Sequence, residues 1–264
     1  MQISNAIDAF MHSIGDELMA SCNIPPFMSD DMSSAPSPSP LRTLTTLIRW
    51  GLLATNAATV AGADEQALAF VKAFSKEMPQ IRESLRNDVS AVVARDPAAT
   101  SRIEVICCYP AIVAMLHYRV AHQLHLLGTP LIPRMITERA HSLTGIDIHP
   151  AATIGRSFAI DHGTGIVIGA TTIIGDEVML YQGVTLGAKN ILHDDSGRPI
   201  DQPRHPIIED RVTIYANTTV LGRVRIGHDS VIGGNLWITH DIPACSTIRQ
   251  PKPVSGVNTN AKLT

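Results

Sequence analysis

An acid–histidine constellation stands out in the second half of the sequence. Asp147 lies in the segment GIDIHP, and Asp161 and His162 follow it in IDHGTG, fifteen residues further on. A carboxylate beside an imidazole can accept a hydrogen bond from one ring nitrogen and leave the other free to take a proton. No protein nucleophile accompanies the pair, so the predicted chemistry is proton abstraction, with His162 as the general base and Asp147 as its partner.

A second pair, Arg204 and His205, follows about forty residues later at the end of a polar segment. The guanidinium of arginine is a planar fork that suits a carboxylate. Together with the acid–histidine constellation, this pair describes a site that could hold a small zwitterion and deprotonate its hydroxyl. The sequence contains no nucleophile elbow, P-loop, zinc-ligand spacing or dinucleotide fingerprint.

The elements that must position these residues follow from a six-residue period that begins after Gly145. Aliphatic residues recur at this spacing with one two-residue slip at DHGTG, where Asp161 and His162 lie. They are Ile148, Ile154, Ile160, Ile168, Ile174, Leu180 and Leu186, and then Ile208, Ile214, Val220, Ile226, Ile232 and Ile238. This period predicts a parallel β-helix, a triangular prism whose coils stack at about 4.8 Å. An ordinary β-sandwich of short strands is the alternative, which the sustained register disfavours.

Between the two blocks of repeats, the segment 187–206 is polar and rich in Gly and Pro. We interpret it as a loop ejected from the prism, and loops on rigid scaffolds commonly carry function. A tolerated surface insertion is the alternative interpretation.

The first half of the chain predicts helices. Residues 2–20 have an amphipathic helical pattern, and the Pro- and Ser-rich stretch that follows predicts an extended linker. Helical patterns continue to about Leu143, with breaks or caps at 62–64, 96–97 and 128–130. The predicted fold class is therefore α+β, an all-helical N-terminal domain followed by a left-handed parallel β-helix. The predicted divisions are 1–40, 41–143, 144–250 and a tail at 251–264.

Composition excludes several classes of function. The 21 basic and 24 acidic side chains nearly balance, which argues against a nucleic-acid-binding protein. No apolar run approaches the roughly 18 residues that span a bilayer, and the N-terminus is too acidic for a targeting peptide, so we expect a cytoplasmic protein that does not bind membranes. Reduced thiols are the expectation for the four cysteines, with the adjacent Cys107 and Cys108 as packing residues.

The repeat region resembles the serine acetyltransferase family. The series DIHPAA, DHGTG and QGVTLG carries the resemblance, together with DPA at 96–98 and RHP at 204–206, and the likeness covers roughly residues 90–245. The series is more specific than hexapeptide repeats alone, which many acyltransferases share. The resemblance implies transfer of an acetyl group from acetyl-CoA to the L-serine hydroxyl. The products are O-acetyl-L-serine and CoA, in the first step of cysteine biosynthesis from serine.

The resemblance also implies roles for single residues. His162 is the implied catalytic base and Asp147 its partner carboxylate. The implied serine-binding residues are Asp96, Asp161, Arg204 and His205. The implied CoA-binding residues are Gly187, Ala188, Ala216 and Gly234. Acetyl-CoA is then a co-substrate, and neither a permanently bound cofactor nor a metal is expected.

The family assembles as homotrimers with active sites between neighbouring prisms, in some members paired into a dimer of trimers. Many members also bind O-acetylserine sulfhydrylase through a C-terminal isoleucine, whereas this chain ends in Thr264. It has Gly187-Ala188 where the family usually has two glycines, and STIRQPKPVSG in place of the common Gly-Val-Pro-Ala step. The resemblance therefore assigns no residue to the adenosine end of CoA.

Three other functions are alternatives to this one. A hexapeptide-repeat O-acyltransferase acting on a sugar or xenobiotic hydroxyl has no need of a carboxylate clamp such as Arg204. A prism-shaped zinc carbonic anhydrase needs three converging histidines, for which the candidates are His149, His162, His193 and His205. A non-catalytic structural or regulatory subunit has no need of the pair Asp147 and His162.

Overall fold

The computed structural model describes residues 2–19, 39–190, 196–198, 200 and 202–250. Within these residues six helices come first, and the strands follow them. The helices are α1 (Gln2–Met19), α2 (Pro40–Ala54), α3 (Val60–Arg95), α4 (Arg102–Cys108), α5 (Pro110–Leu126) and α6 (Ile132–Thr144). The predicted linker and the tail at 251–264 lie outside the described residues.

The helices end at the predicted breaks at 96–97 and 128–130, whereas the break between α4 and α5 at Tyr109 was not predicted and the one at 62–64 is misplaced. Helix α1 buries the apolar positions of its predicted amphipathic pattern, including Ile7 and Phe10. The predicted break at 62–64 is wrong, because these residues form the first turn of α3. The chain instead breaks after Ala54, and Thr59 caps the new helix by accepting a hydrogen bond from the backbone N–H of Gly62.

Short strands form a parallel β-helix, as the six-residue period predicts. The strands are β1 (Asp147–Ile148), β2 (Thr153–Ile154), β3 (Ala159–Asp161), β4 (Val167–Ile168), β5 (Ile173–Ile174), β6 (Met179–Tyr181), β7 (Thr185–Gly187), β8 (Ile207–Ile208), β9 (Thr213–Ile214), β10 (Thr219–Leu221), β11 (Arg225–Ile226), β12 (Val231–Ile232), β13 (Trp237–Ile238) and β14 (Thr247–Ile248). The ejected segment occupies the interval between β7 and β8, so Gly187 belongs to the strand before it.

Every third strand from β1 to β13 joins the same face of the prism, and β14 adds the last strand to the face that contains β12. Sheet A has the order β1-β4-β7-β10-β13, sheet B has β11-β8-β5-β2, and sheet C has β14-β12-β9-β6-β3. The chain runs from A to B to C in each coil, so the prism has an A–B edge, a B–C edge and a C–A edge. The repeating aliphatic residues from Ile148 to Ile238 are all buried and form the core of the prism.

The helices are anchored to the prism by a buried ion pair. Asp88 of α3 and Arg119 of α5 form a bidentate pair, with both N···O distances at 3.0 Å, and both side chains are buried. Arg119 also donates to the carbonyl oxygens of Ile154 and Gly155, while Asp88 accepts from the backbone N–H of Phe158. Breaking such a buried network leaves an uncompensated charge, so the network fixes the end of α3 relative to the first coil.

Two further sequence predictions concern a pair of adjacent cysteines and membrane-spanning segments. Cys107 and Cys108 are exposed in this chain, so their prediction as packing residues is wrong. Among the described helices, none alone combines the length and apolar composition needed to cross a membrane, and only the bent pair of α4 and α5 meets that test when taken together.

Candidate functional site

The acidic half of the site lies at the C–A edge. Asp161 is the last residue of β3, and His162 begins the turn to sheet A. Asp96 caps the C-terminus of α3 and interacts electrostatically with His162. A small core holds these elements together, with Val92 and Val105 packed against the outward-facing Ala159 of sheet C. The structure thus brings together three of the predicted site residues, from the helices and from the prism.

The two-residue slip in the repeat forms the turn that carries His162. The φ of His162 is 57° and that of Gly163 is 94°, both in the left-handed region. A Cβ at Gly163 would lie 2.6 Å from Cδ1 of Ile146, so only glycine fits there. Non-glycine residues at other corners of the prism, among them Glu177 and Asn217, have the same left-handed φ, so this conformation belongs to the coil geometry. The turn directs the His162 side chain outward, and 74% of it is exposed.

The predicted hydrogen bond between Asp147 and His162 is not formed among the described residues. The nearest carboxylate to His162 is that of Asp161, with Nε2 3.6 Å from Oδ1. Asp147 instead lies with Glu138 and His141 of α6, and the possible ligand atoms of these three residues are within 4.8 Å of one another. The role of Asp147 as partner to the base stays a prediction.

Tyr109 is a residue of the acidic half that the sequence did not reveal. Its hydroxyl donates to Oδ2 of Asp96 at 2.6 Å, while the backbone N–H of Ala98 donates to Oδ1 at 2.8 Å. Both hydrogen bonds stabilise the charged carboxylate, the one from Tyr109 most, and they lower the pKa of Asp96. The same bond raises the pKa of Tyr109 to about 12, so the hydroxyl keeps its proton. Asp96 is therefore an ionised carboxylate held on both oxygens.

The basic half of the site lies at the A–B edge. Arg204 and His205 immediately precede β8, and Thr171 of the neighbouring coil holds both. Its Oγ1 accepts hydrogen bonds from the backbone N–H groups of Arg204, at 2.9 Å, and His205, at 3.1 Å. Arg223 supports this corner by donating to the carbonyl oxygens of Thr171 and His205. Within the described residues the Arg204 guanidinium has no hydrogen-bond or ion-pair partner, so its fork is available to an anion.

Thr171 also sets the tautomer of His205. The backbone N–H of Thr171 donates to Nδ1 of His205 at 3.1 Å, and its Oγ1 lies 2.8 Å from the same nitrogen. A backbone N–H can only donate, so Nδ1 is the acceptor and the ring proton is on Nε2. Burial, followed by the charge of Arg204, lowers the pKa of His205 to about 4. The ring is consequently neutral at pH 7 and presents an N–H donor.

Neither Thr171 nor Arg223 carries a signal in the sequence, because threonine and arginine are common on the outer faces of hexapeptide coils. Tyr109 is equally inconspicuous, since it precedes a proline at the start of α5. All three act on residues that are between 13 and 52 positions away along the chain, and only the fold brings them together.

The predicted CoA-binding residues are divided between the same two edges. Gly187 ends β7 and Ala188 follows it, so both lie at the A–B edge. Ala216 and Gly234 lie at the C–A edge, each two residues after an inward aliphatic residue of sheet C, which is also the position of His162 in the first coil. Sheet A separates the two edges, so one chain brings together neither all the serine residues nor all the CoA residues.

The histidines proposed for a zinc site do not converge among the described residues. His149 and His205 lie at the A–B edge and His162 at the C–A edge. His193 lies outside the described residues. Two other groups in the described chain have possible ligand atoms within 4.8 Å of one another, Glu138 with His141 and Asp147, and His228 with Asp229 and Cys245. Neither group contains three histidines.

Comparison with known proteins supports the resemblance found in the sequence. The family profile described as "Serine acetyltransferase, N-terminal" matches residues 43–125. A serine acetyltransferase encoded on a plasmid of Synechococcus elongatus is 52% identical over 194 residues, which are 73% of this chain and 61% of that protein's length. A serine acetyltransferase of Helicobacter pylori is 44% identical over 163 residues, which are 62% of this chain and 91% of that protein.

Solved structures of serine acetyltransferases are also similar to this chain. Serine acetyltransferase isoform 3 of Entamoeba histolytica, solved in complex with cysteine, superposes with a TM-score of 0.73 at 33% identity, covering 95% of this chain and 85% of that one. The Neisseria gonorrhoeae serine acetyltransferase in complex with serine gives a TM-score of 0.61 at 26% identity, covering 92% and 95%. From its matched sequence, its helical domain and its prism, this chain belongs to the serine acetyltransferase family.

Proposed function

We propose that this protein is a serine O-acetyltransferase that moves an acetyl group from acetyl-CoA to the hydroxyl of L-serine. The observation that carries the proposal is the pairing of opposite charges around one exposed base. The C–A edge offers carboxylates to an ammonium group beside His162, and the A–B edge offers a free guanidinium to a carboxylate. L-Serine carries both charges and a hydroxyl within short reach of them.

The proposed chemistry is direct transfer. His162 takes the hydroxyl proton of serine as the oxygen attacks the thioester carbonyl, and the carbon–sulfur bond of the resulting tetrahedral intermediate then breaks. The same imidazole returns its proton to the departing CoA thiolate, so no proton is gained or lost overall. Holding both substrates together supplies a large part of the remaining acceleration.

In the proposed complex, the acidic half binds the ammonium group of serine and the basic half binds its carboxylate. Asp96, held ionised by Tyr109, and Asp161 receive the ammonium group. Arg204 receives the carboxylate as a bidentate partner, with the Nε2–H of neutral His205 as a further donor. A hexose has neither charge, so a sugar acyltransferase would leave both halves of the clamp without an ionic partner.

The proposal includes a homotrimer in which the A–B edge of one prism lies against the C–A edge of the next. Its support is that the predicted serine and CoA residues divide between the same two edges, so rotation about a threefold axis completes both sets at once. Pairing into a hexamer, the cytoplasmic location and a complex with O-acetylserine sulfhydrylase stay predictions. The C-terminal tail, which in this chain does not end in the isoleucine that binds that partner, lies outside the described residues.

Subunit complementation tests the shared site. His162→Ala and Arg204→Ala each disable one half, and each protein alone should be nearly inactive. Denaturing and refolding the two together in equal amounts should restore about a quarter of the native activity, because one interface in four combines two intact halves. Activity is measured as CoA thiol release with L-serine, homoserine and a hexose.

Two outcomes would overturn the proposal. If the mixed refolded protein stays as inactive as its parents while native protein refolded in the same way recovers, the halves do not combine across subunits. If a hexose releases CoA as fast as L-serine does, the amino-acid assignment is wrong and the sugar acyltransferase replaces it.

A further inference from the structure

Three side chains with metal-binding atoms lie close together at the B–C edge of the prism, away from both edges that carry the proposed site. His228 and Asp229 are in the turn between β11 and β12, and Cys245 is in the corresponding turn of the next coil, just before β14. All three are exposed, and one possible ligand atom of each lies within 4.8 Å of those of the other two. An imidazole, a carboxylate and a thiol from two successive coils can therefore reach one ion.

Backbone contacts fix the two turns relative to each other. The backbone N–H of Cys245 donates to the carbonyl oxygen of His228 at 2.8 Å. At Gly227 the coils approach so closely that a Cβ would lie 2.3 Å from the backbone nitrogen of Ala244. The buried hydroxyl of Ser230 also hydrogen-bonds the next coil, as donor at 3.1 Å and as acceptor at 3.2 Å. The scaffold thus sets the spacing of the three side chains before an ion binds.

The carboxylate of Asp229 is already oriented by its neighbours. Arg211 donates from Nε to one carboxylate oxygen at 2.7 Å and from Nη2 to the other at 2.8 Å. Nδ1 of His228 is 2.7 Å from the second of these oxygens. Carboxylates that bind metals are commonly held by such outer hydrogen bonds, which fix their direction. A carboxylate has about four lone-pair sites, so these contacts leave room for an ion.

The donor set favours zinc over the other common divalent ions. Zinc binds thiolate, imidazole and carboxylate at about 2.0–2.3 Å in a tetrahedron, which places the ligand atoms about 3.4–3.6 Å apart. The side chains of His228 and Asp229 are 48% and 41% exposed, so small rotations can bring their ligand atoms to this spacing. Calcium and magnesium take oxygen ligands and gain nothing from the thiol of Cys245.

We propose that His228, Asp229 and Cys245 bind one zinc ion, with a water molecule as the fourth ligand. The thiol releases its proton to solvent as the sulfur coordinates the ion. The site lies outside the proposed catalytic machinery, and acetyl transfer does not depend on it.

The zinc ion joins the last coil of the prism to the coil before it. The helices pack against the first coil, where α6 contacts β1 and α3 contacts β3. At the other end, β14 pairs only with β12 among the described strands. A terminal repeat has one neighbour instead of two, so it is the part of a solenoid that opens most easily. A metal cross-link between the two turns stabilises this end of the prism.

Cobalt(II) tests the ligand set, because it occupies zinc sites and its bond to a thiolate absorbs in the near ultraviolet. Titration of the reduced native protein should give this absorption, saturating at one ion per chain, and added zinc should remove it. Cys245→Ser should abolish the absorption, and His228→Ala should weaken cobalt binding about tenfold or more. The matched controls are Cys108→Ser, which changes another exposed cysteine, and His12→Ala, which changes an exposed histidine beside Asp16. Both controls should bind cobalt as the native protein does.

Thermal unfolding tests the cross-link. Zinc at about 100 times its Kd should raise the Tm of the native protein by about 5 °C or more, and a chelator should reverse the rise. Cys245→Ser should match the native Tm in chelator and show no rise with zinc.

Three results would overturn the proposal. The native protein gives no thiolate absorption with cobalt, the absorption persists in Cys245→Ser, or zinc raises the Tm of Cys245→Ser as much as that of the native protein. Zinc binding at these residues without a rise in Tm would reject the cross-link.

Discussion

The two edges that carry the proposed site hold their histidines in opposite ways. The His162 side chain is 74% exposed on a left-handed turn, with its nearest carboxylate atom 3.6 Å away. His205 is only 8% exposed, and Thr171 holds its Nδ1 with both a backbone and a side-chain group. One ring is thus free to turn, and the other is fixed in a single tautomer.

This difference matches the two proposed roles, orientation of the substrate carboxylate by His205 and proton transfer by His162. A group that orients a substrate carboxylate gains from being fixed before the substrate arrives, because less side-chain entropy is then lost on binding. A general base must meet a hydroxyl and then a sulfur atom, and its hydrogen bonds often tighten only in the complex. Substitutions in each half can therefore test the contrast between the exposed His162 of the acidic half and the fixed His205 of the basic half.

The largest effect on activity should come from replacing His162, the exposed general base. His162→Ala should reduce kcat about 100-fold or more, because the serine hydroxyl loses its proton acceptor. His228→Ala is the matched control, since His228 is an exposed histidine that contacts Asp229 on the prism away from both halves. A steady-state assay of thiol release checks both. A near-native rate for the His162 variant would exclude general-base catalysis by this residue.

Substitutions in the basic half of the site should weaken serine binding and leave the rate of the chemical step unchanged. Thr171→Val removes the hydroxyl that holds Arg204 and His205, so the KM for serine should rise about tenfold while the Kd of CoA stays unchanged. Thr171→Ser should restore the native value. Thr172→Val is the control, because the Thr172 hydroxyl is buried without a hydrogen-bond partner in the described structure. An effect mainly on kcat would contradict a role in positioning.

A smaller change is expected from the support of Asp96. Tyr109→Phe removes one of its two hydrogen bonds, so the KM for serine should rise about fivefold. Tyr181→Phe changes a neighbouring tyrosine without removing such a bond. An unchanged KM for serine in Tyr109→Phe would separate Tyr109 from substrate binding.

The prism could be predicted almost residue by residue, because its core repeats locally. Each inward aliphatic residue follows from a six-residue spacing, and the slip at DHGTG marks the turn that carries His162. The break before α3 could not be placed in the same way, since Gly62 resembles a breaker but lies within the first turn that Thr59 caps.

The partners of the site residues could not be predicted for a different reason. Thr171 contacts His205 across 34 positions, and Arg119 contacts Asp88 across 31. Such contacts depend on how coils and helices stack, and no spacing in the sequence encodes them. The sequence pattern predicts which residues do chemistry, whereas the residues that hold them in place could be identified only from the fold.

The smallest expected effect concerns stability and again separates the two histidines. The pKa of His205 is lowered to about 4 by burial, from an ordinary value of 6.5. Above pH 6.5 the ring is neutral in both folded and unfolded chains, so it adds no pH dependence. As the pH falls from about 6.5 towards 4, the unfolded chain takes up a proton that the folded chain excludes, and stability declines.

His205→Gln should therefore show a shallower loss of Tm over this window than the native protein. Some slope should remain, because burial also lowers the pKa of His117, His122 and His149. Calorimetric scans between about pH 7.5 and 4 measure the slopes, with the exposed His240→Gln as control. Equal slopes for His205→Gln and native protein would show that His205 accepts its proton in the folded state, and the fixed neutral tautomer assigned to this half would be wrong.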